Sequence, residues 1–207
     1  RDVCGLEIIP NLIKAGVKCF KIEGRMKTPE YVAIVTKIYR KYIDLALSGK
    51  PYMIDYADKK VLMQVFNRGG FSSGHLENEY NQNLIYPKKP NNMGLYLGKV
   101  QKFNPEKGHI TLSANEILSI GDTISLENET GTYTISELML GNTNIEESSP
   151  FQPVTIGRMK GNIKVGDKIY KMSSRELNRI ALESLNKETK KISFDCMLKI
   201  KENEPIT

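Results

Sequence analysis

The stretch from Val17 to Leu47 constrains this chain more than any other. An apolar run of strand type, Val17-Lys18-Cys19-Phe20-Lys21-Ile22, meets a charged turn at Glu23-Gly24-Arg25, and an amphipathic helix opens at Thr28-Pro29-Glu30. Strand, polar turn and helix make one unit of an α/β fold, and in such units the turn after the strand carries the chemistry. Thr28 is placed to accept from early helix N–H groups, Pro29 fits the first helical position, and Glu30 suits the positive end of the helix dipole. Val32, Val35, Tyr39, Tyr42, Ile43 and Ala46 recur at helical spacing and predict one apolar face. Lys37, Arg40, Lys41 and Asp44 fall mostly opposite, and Gly49 is a natural stop.

Upstream, Leu6 to Ala15 reads as a short helix closed by Gly16. Helix, strand, helix over residues 1–50 predicts the last turn of a TIM-type α/β barrel with its earlier units missing. A lone parallel strand leaves its backbone groups unpaired, so the strand at Val17–Ile22 is expected to rearrange, fray or pair with another chain. Residues 51–92 read as a helix and a linker. Asp58 is the expected cap of that helix, Phe66 its approximate end, and the Gly, Ser, Asn and Pro content from Phe71 onward marks a loop.

Short alternating runs begin near residue 93. They are Leu95–Val100, His109–Leu112, Thr123–Leu126, Thr132–Ile135, Val154–Ile156 and Lys168–Tyr170. Their spacing predicts a small antiparallel β-barrel over 93–172. The barrel contains an internal echo: Ser119-Ile120-Gly121-Asp122-Thr123-Ile124 against Lys164-Val165-Gly166-Asp167-Lys168-Ile169. A recurring turn accounts for the echo as well as kinship with the small barrels of translation factors and RNA-modifying proteins does. In 173–207, Ser173 and Glu176 have the spacing of a capping box, and Lys191 to Ile200 alternates like the start of a further strand. The fold class is thus α+β, a truncated α/β barrel followed by a small β-barrel. The chain opens at Arg1 and ends at Thr207 in mid-pattern, so it reads as an internal piece of a longer protein.

The formal charge of +6 on 207 residues permits a nucleic-acid partner without demanding one. Cys4, Cys19 and Cys196 are far apart and odd in number, which argues against a disulfide framework and for a reducing cytoplasm. No apolar run approaches the ~18 residues of a membrane span.

Glu23 and Arg25 flank Gly24 where a barrel would hold its active site. The carboxylate suits a general base or a metal ligand and the guanidinium suits an anion. The residues alone favour a simpler role, an Arg–Glu pair bracing the turn. Arg68, in Asn67-Arg68-Gly69-Gly70-Phe71, could meet phosphate, although a solvated helix end explains it better. His75 and His109 lie in unrelated places, and neither a zinc-protease nor a nucleotide-loop motif is present.

The run Phe20-Lys21-Ile22-Glu23-Gly24-Arg25-Met26-Lys27 followed by Pro29-Glu30-Tyr31-Val32 resembles the signature of the collagenase-like peptidase family, peptidase U-thirty-two. Asp2-Val3-Cys4, the helix to Gly16, Phe66-Asn67-Arg68-Gly69-Gly70-Phe71 and Gly74-His75-Leu76 fit the same pattern. The resemblance implies a bacterial, cytoplasmic, catalytic parent. It moves Lys21, Glu23 and Arg25 toward catalytic roles and Cys4 toward a metal-ligand role, the last of a cysteine set that holds an iron–sulfur cluster in some members. One such cysteine cannot assemble a four-cysteine cluster, so no cofactor is expected in this piece itself. The family includes both peptidases and proteins tied to hydroxylation of transfer or ribosomal RNA. RNA modification, with the barrel gripping RNA and Arg68 as a contact, ranks first. A peptidase acting on peptide substrates and a partner-binding barrel are the alternatives, and the piece alone is expected to be inactive.

Overall fold

The computed structural model describes residues 1–76, 84–87, 91–129 and 131–187, together with 193, 195–198, 200 and 202. Strand β1 (Asp2–Val3) leads through a short 3-10 turn at Leu6–Ile8 into α1 (Ile9–Lys14). Then come α2 (Pro29–Leu47), α3 (Tyr56–Val65) and β2 (Phe71–Ser72), which pairs parallel with β1. Leu6, Ile9, Ile34, Val35, Ile38, Tyr42 and Leu62 form the core of this unit.

Helix α2 forms where its sequence demands, with Thr28 Oγ1 accepting from the Tyr31 N–H at 3.3 Å and Pro29 at the first turn. Its buried stripe is Ile34, Val35, Ile38 and Tyr42, turned from the expected face so that Val32 stays 38% exposed. The turn follows from packing on several sides, since α1, α3 and a later helix all lie against α2. The cap of α3 is Asp55, whose Oδ1 accepts from the Ala57 N–H at 2.8 Å. The expected cap, Asp58, instead accepts from Tyr42 Oη at 2.6 Å and Lys41 Nζ at 2.5 Å.

The strand expected at Val17–Ile22 does not form. These residues carry no strand pairing, Val17 to Cys19 are exposed, and Phe20 and Ile22 are half-buried. The composition is that of a strand, but a parallel strand needs neighbours on its edges and none lies beside it among the described residues. Among the described residues this unit consists of helices and a two-residue parallel pair, which is not the expected last turn of a TIM-type barrel.

The second unit is built from β3 (Leu95–Lys99), β4 (Lys102–Asn104), β5 (His109–Ser113), β6 (Thr123–Leu126), β7 (Thr132–Thr134), β8 (Leu138–Leu140), β9 (Thr143–Asn144), β10 (Pro153–Ile156) and β11 (Lys168–Ser173). Among the described residues they make two antiparallel sheets, in the orders β4-β5-β10-β8-β9 and β3-β11-β6-β7. The expected closed barrel is not what forms: the ladders belong to two separate sheets that enclose one core, with Leu97, Ile110, Leu112, Leu118, Ile124, Leu126, Leu138, Ile156 and Ile169 inside.

The sequence echo is structural. In each copy the aspartate side chain accepts from the N–H three residues back, Ser119 N–H to Asp122 Oδ2 at 2.9 Å and Lys164 N–H to Asp167 Oδ2 at 2.8 Å. In each, the glycine has positive φ, +91° at Gly121 and +97° at Gly166. Gly121 N–H donates to Ile135 O and Ile135 N–H to Asp122 O, while Gly166 N–H donates to Val100 O and Val100 N–H to Asp167 O. Ile124 pairs with Lys171 and Leu126 with Ile169, so the ladder maps onto itself when the two copies are exchanged. The unit is a pseudo-twofold pair of β-β-β-turn-β repeats, with β9 an extra strand of the second copy.

Helix α4 (Arg175–Leu185) follows β11 and lies against α2. Its cap is Ser174, whose Oγ accepts from Leu177 N–H at 3.4 Å, one residue beyond the expected Ser173. Of the strand expected at Lys191–Ile200, residues 191, 192, 194 and 199 lie outside the described residues, and the described ones form no strand.

Candidate functional site

The turn at residues 23–27 is held by its own groups. Glu23 Oε1 accepts from Arg25 N–H at 2.9 Å, and Lys27 N–H donates to Gly24 O at 3.0 Å. A Cβ on Gly24 would lie 2.7 Å from Val32 Cγ2, so glycine lets the turn sit directly on α2. Met26 takes a left-handed φ of +65° and is 95% exposed.

Lys21 and Glu23 come together as a loose ion pair, Nζ to Oε2 at 3.9 Å, with side chains 88% and 68% exposed. An exposed pair of this kind is worth ~0–1 kcal/mol. Both residues border a cavity of about 420 Å³ that also receives Cys4, Tyr39, Tyr31 and Phe66. Arg25 belongs to the same turn but does not line that cavity.

Cys4 is buried, and burial pushes its thiol above the ordinary value, so it is a neutral thiol at physiological pH. Tyr39 lies beside it; its oxygen accepts from Gly5 N–H at 3.0 Å, and burial holds its hydroxyl protonated well above the usual tyrosine range. Cys4, Cys19 and Cys196 are all free, and no cluster of three or more metal-ligating side chains occurs among the described residues. A raised, isolated thiol does not fit an iron–sulfur cluster by itself, because the cluster needs several thiolates.

Arg68 is committed to Asp2. Its Nε and Nη2 donate to Asp2 Oδ1 at 3.0 and 2.7 Å, and its backbone N–H donates to Oδ2 at 2.7 Å. These bonds raise the guanidinium's affinity for its proton and tie β1 to the turn before β2. The cation side of the site is instead Lys27, whose ammonium sits over the Phe66 ring, 3.0 Å from its centroid. Lys27 has its proton affinity lowered, chiefly by burial. Phe66 in turn meets Tyr31 edge to face at 6.2 Å. Lys27 lies inside the Phe20–Lys27 motif, but only its placement over an aromatic ring, set by the turn, marks it out.

Fold and site together define a mixed α+β protein with a motif-bearing turn beside a buried cysteine. Residues 1–85 match the profile of Peptidase family U32, so this segment is similar to that family. Over 179 residues it is 29% identical to an uncharacterized protease of Methanocaldococcus jannaschii, covering 82% of this chain and 43% of that protein. It is 29% identical to a collagenase of Porphyromonas gingivalis, covering 85% of this chain and 44% of the other. It is also 29% identical to tRNA hydroxylation protein P of Haemophilus influenzae, covering 70% and 32% respectively. The chain spans less than half the length of these relatives. No helix among the described residues is long and apolar enough to cross a membrane.

Proposed function

We propose that the protein is part of an RNA-modifying enzyme and that its two-sheet unit grips RNA. One observation carries this reading. On β3 and β11, Tyr96 lies opposite Tyr170 and Lys99 lies opposite Lys168. The two rings meet edge to face at 5.7 Å, and Tyr96 is 40% exposed. Like charges placed directly across a ladder disfavour the sheet, so this arrangement runs against stability. Among the described residues only Lys168 has a carboxylate to offset it, Glu127 at 2.9 Å. Paired aromatics with paired ammonium groups on one strand pair suit bases and phosphates of single-stranded RNA. A relative named for tRNA hydroxylation supports the same direction.

In this reading Lys21, Glu23 and Arg25 are the polar groups of the reacting end, and an iron–sulfur cluster, if the whole enzyme uses one, draws on thiols beyond those described. The test is binding of bulk transfer RNA across a salt series. Affinity that falls steeply with salt is expected, with Lys99→Glu flattening the slope by about one to two phosphate equivalents and Tyr96→Ala weakening binding by ~1–3 kcal/mol. Absence of binding at low salt overturns the reading.

Peptide cleavage is the second reading, favoured by the names of two relatives. Release of fragments from gelatin by the full-length enzyme, lost in Glu23→Gln, would establish it.

A further inference from the structure

A second cavity, of about 380 Å³, lies where the helical unit meets the two-sheet unit. Its wall is formed by the turn before α2, the end of α3 and the β11–α4 junction, with Lys27, Thr28, Gln64, Phe66, Ser173 and Asn178 among its residues. The size falls within the ~300–1,000 Å³ of small-ligand pockets.

Gln64 is the telling residue. It is only 5% exposed. Its Nε2 donates to Lys171 O at 2.9 Å, which fixes which end of the amide points where, because the reverse orientation would set two acceptors against each other. Gln64 Oε1 then has no hydrogen-bond partner. A buried acceptor left unpaired costs ~1–3 kcal/mol, so a donor belongs there. Lys171 is itself anchored by Asp122, which keeps its carbonyl in place.

Other parts of the wall have the opposite polarity. The N-termini of α2 and α4 both open onto this cavity, and Lys27 adds a full positive charge. Thr28 Oγ1 accepts from Tyr31 N–H, which leaves its hydroxyl proton to donate outward. Glu30, also on the wall, supplies acceptors suited to a ribose hydroxyl. The cavity therefore combines an unpaired buried acceptor with positively charged groups, which suits a ligand that carries both a donor and an anion. A lone water supplies the donor only.

We infer that this cleft takes one nucleotide of single-stranded RNA, with a base N–H donated to Gln64 Oε1 and the phosphate held at Lys27 and the helix ends. The inference rests on the RNA reading above and adds a site separate from the Tyr96–Tyr170 face. Because the cleft is walled by both units, RNA seated in it bridges them, and gripping by the sheets positions a strand toward the turn at Glu23.

The test uses the full chain, isotopically labelled, with the side-chain amide resonances of Gln64 and Asn178 followed by NMR. The probes are short single-stranded RNA homo-oligomers of each base, an abasic ribose-phosphate oligomer, and a collagen-like peptide. A saturable shift of the Gln64 amide with a base-bearing oligomer and not with the abasic one is expected. Asn178→Tyr, a change at an exposed rim position, should weaken that shift at least tenfold while leaving Gln64 intact. Gln64→Lys keeps a donor for Lys171 O and removes the acceptor, so it should abolish discrimination between base-bearing and abasic oligomers. A Gln64 shift produced by the peptide alone overturns the inference, as does no shift with any probe. If transfer RNA still binds in the latter case, the cleft fails and the RNA reading stands; if it does not, both fail.

Discussion

Asp122 and Lys171 form an ion pair of 2.6 Å, with side chains only 1% and 9% exposed, at the seam between β6, β11 and α4. Asp122 also accepts from the N–H groups of Ser119 and Arg175, each at 2.9 Å, and Lys171 Nζ also donates to Ile117 O at 3.0 Å. The echoed turn thus ends in a carboxylate that positions the first residue of α4. Strand alternation explains the partner: Ile169 points into the core, so Lys171, two residues on, does too.

Removing one member should be severe. Asp122→Ala leaves a buried ammonium uncompensated, and the expected loss is ~3–5 kcal/mol in urea unfolding. Adding Lys171→Met to that variant should restore a large part of the loss. A double variant no better than Asp122→Ala would show that the backbone bonds to Ser119 and Arg175, not the charge pair, dominate.

Gly94 sits at φ +67°, and a Cβ there would collide with the backbone carbonyl of Lys171. Asn67 Nδ2 donates to Gly94 O at 2.8 Å, so this glycine is also where the helical unit is tied to the sheets. Gly94→Ala is expected to lower stability by at least ~1–3 kcal/mol through strain alone. It should also broaden resonances along β11 before global unfolding. A variant as stable as the parent would mean that β3 enters the sheet by another path.

What was legible in the sequence was local. The cap at Thr28, the span of α2 and the two Gly-Asp turns follow from side chains acting within a few residues. Asp55 displaced Asp58 as a cap because Asp58 is claimed by Tyr42 and Lys41, a tertiary matter. Val17–Ile22 has strand composition without strand neighbours, which composition cannot report. The two-residue strands β1 and β2 are too short to leave a pattern, and their register depends on Arg68 gripping Asp2 across 66 residues. Of the candidate site, the motif turn was visible, whereas the burial of Cys4 against Tyr39 and the cleft at Gln64 arise only when distant elements meet.

Tyr52 gives a pH prediction. Its hydroxyl donates to Leu6 O at 2.5 Å, and burial, with Tyr42, Glu7 and Cys4 nearby, pushes its pKa up to about 12. An unfolded tyrosine titrates near ~10. Between those values the unfolded chain has released a proton that the folded chain keeps, so stability falls as pH rises. The contribution is complete below about pH 10 and gone above about pH 12. Tyr52→Phe should be less stable at neutral pH yet show a shallower alkaline decline, measured as unfolding midpoints from pH 8 to 12. Parallel curves for the two proteins would remove Tyr52 as a source of that decline.

Glu23 separates folding from chemistry. It is 68% exposed, its partner Lys21 stands 3.9 Å away, and the bond from Arg25 N–H needs only an acceptor, which glutamine supplies. Glu23→Gln should therefore change stability by no more than ~0.5 kcal/mol, as expected for a surface site. If the carboxylate serves the reaction, the same variant in a full-length enzyme should lose at least ~100-fold in product formed, the lower end of what a general base contributes. Product is read by mass spectrometry of digested transfer RNA, with Lys21→Met run in parallel to separate a charge effect from proton transfer. Full activity in Glu23→Gln would confine this residue to bracing the turn and shift attention to the Cys4–Tyr39 wall of the neighbouring cavity.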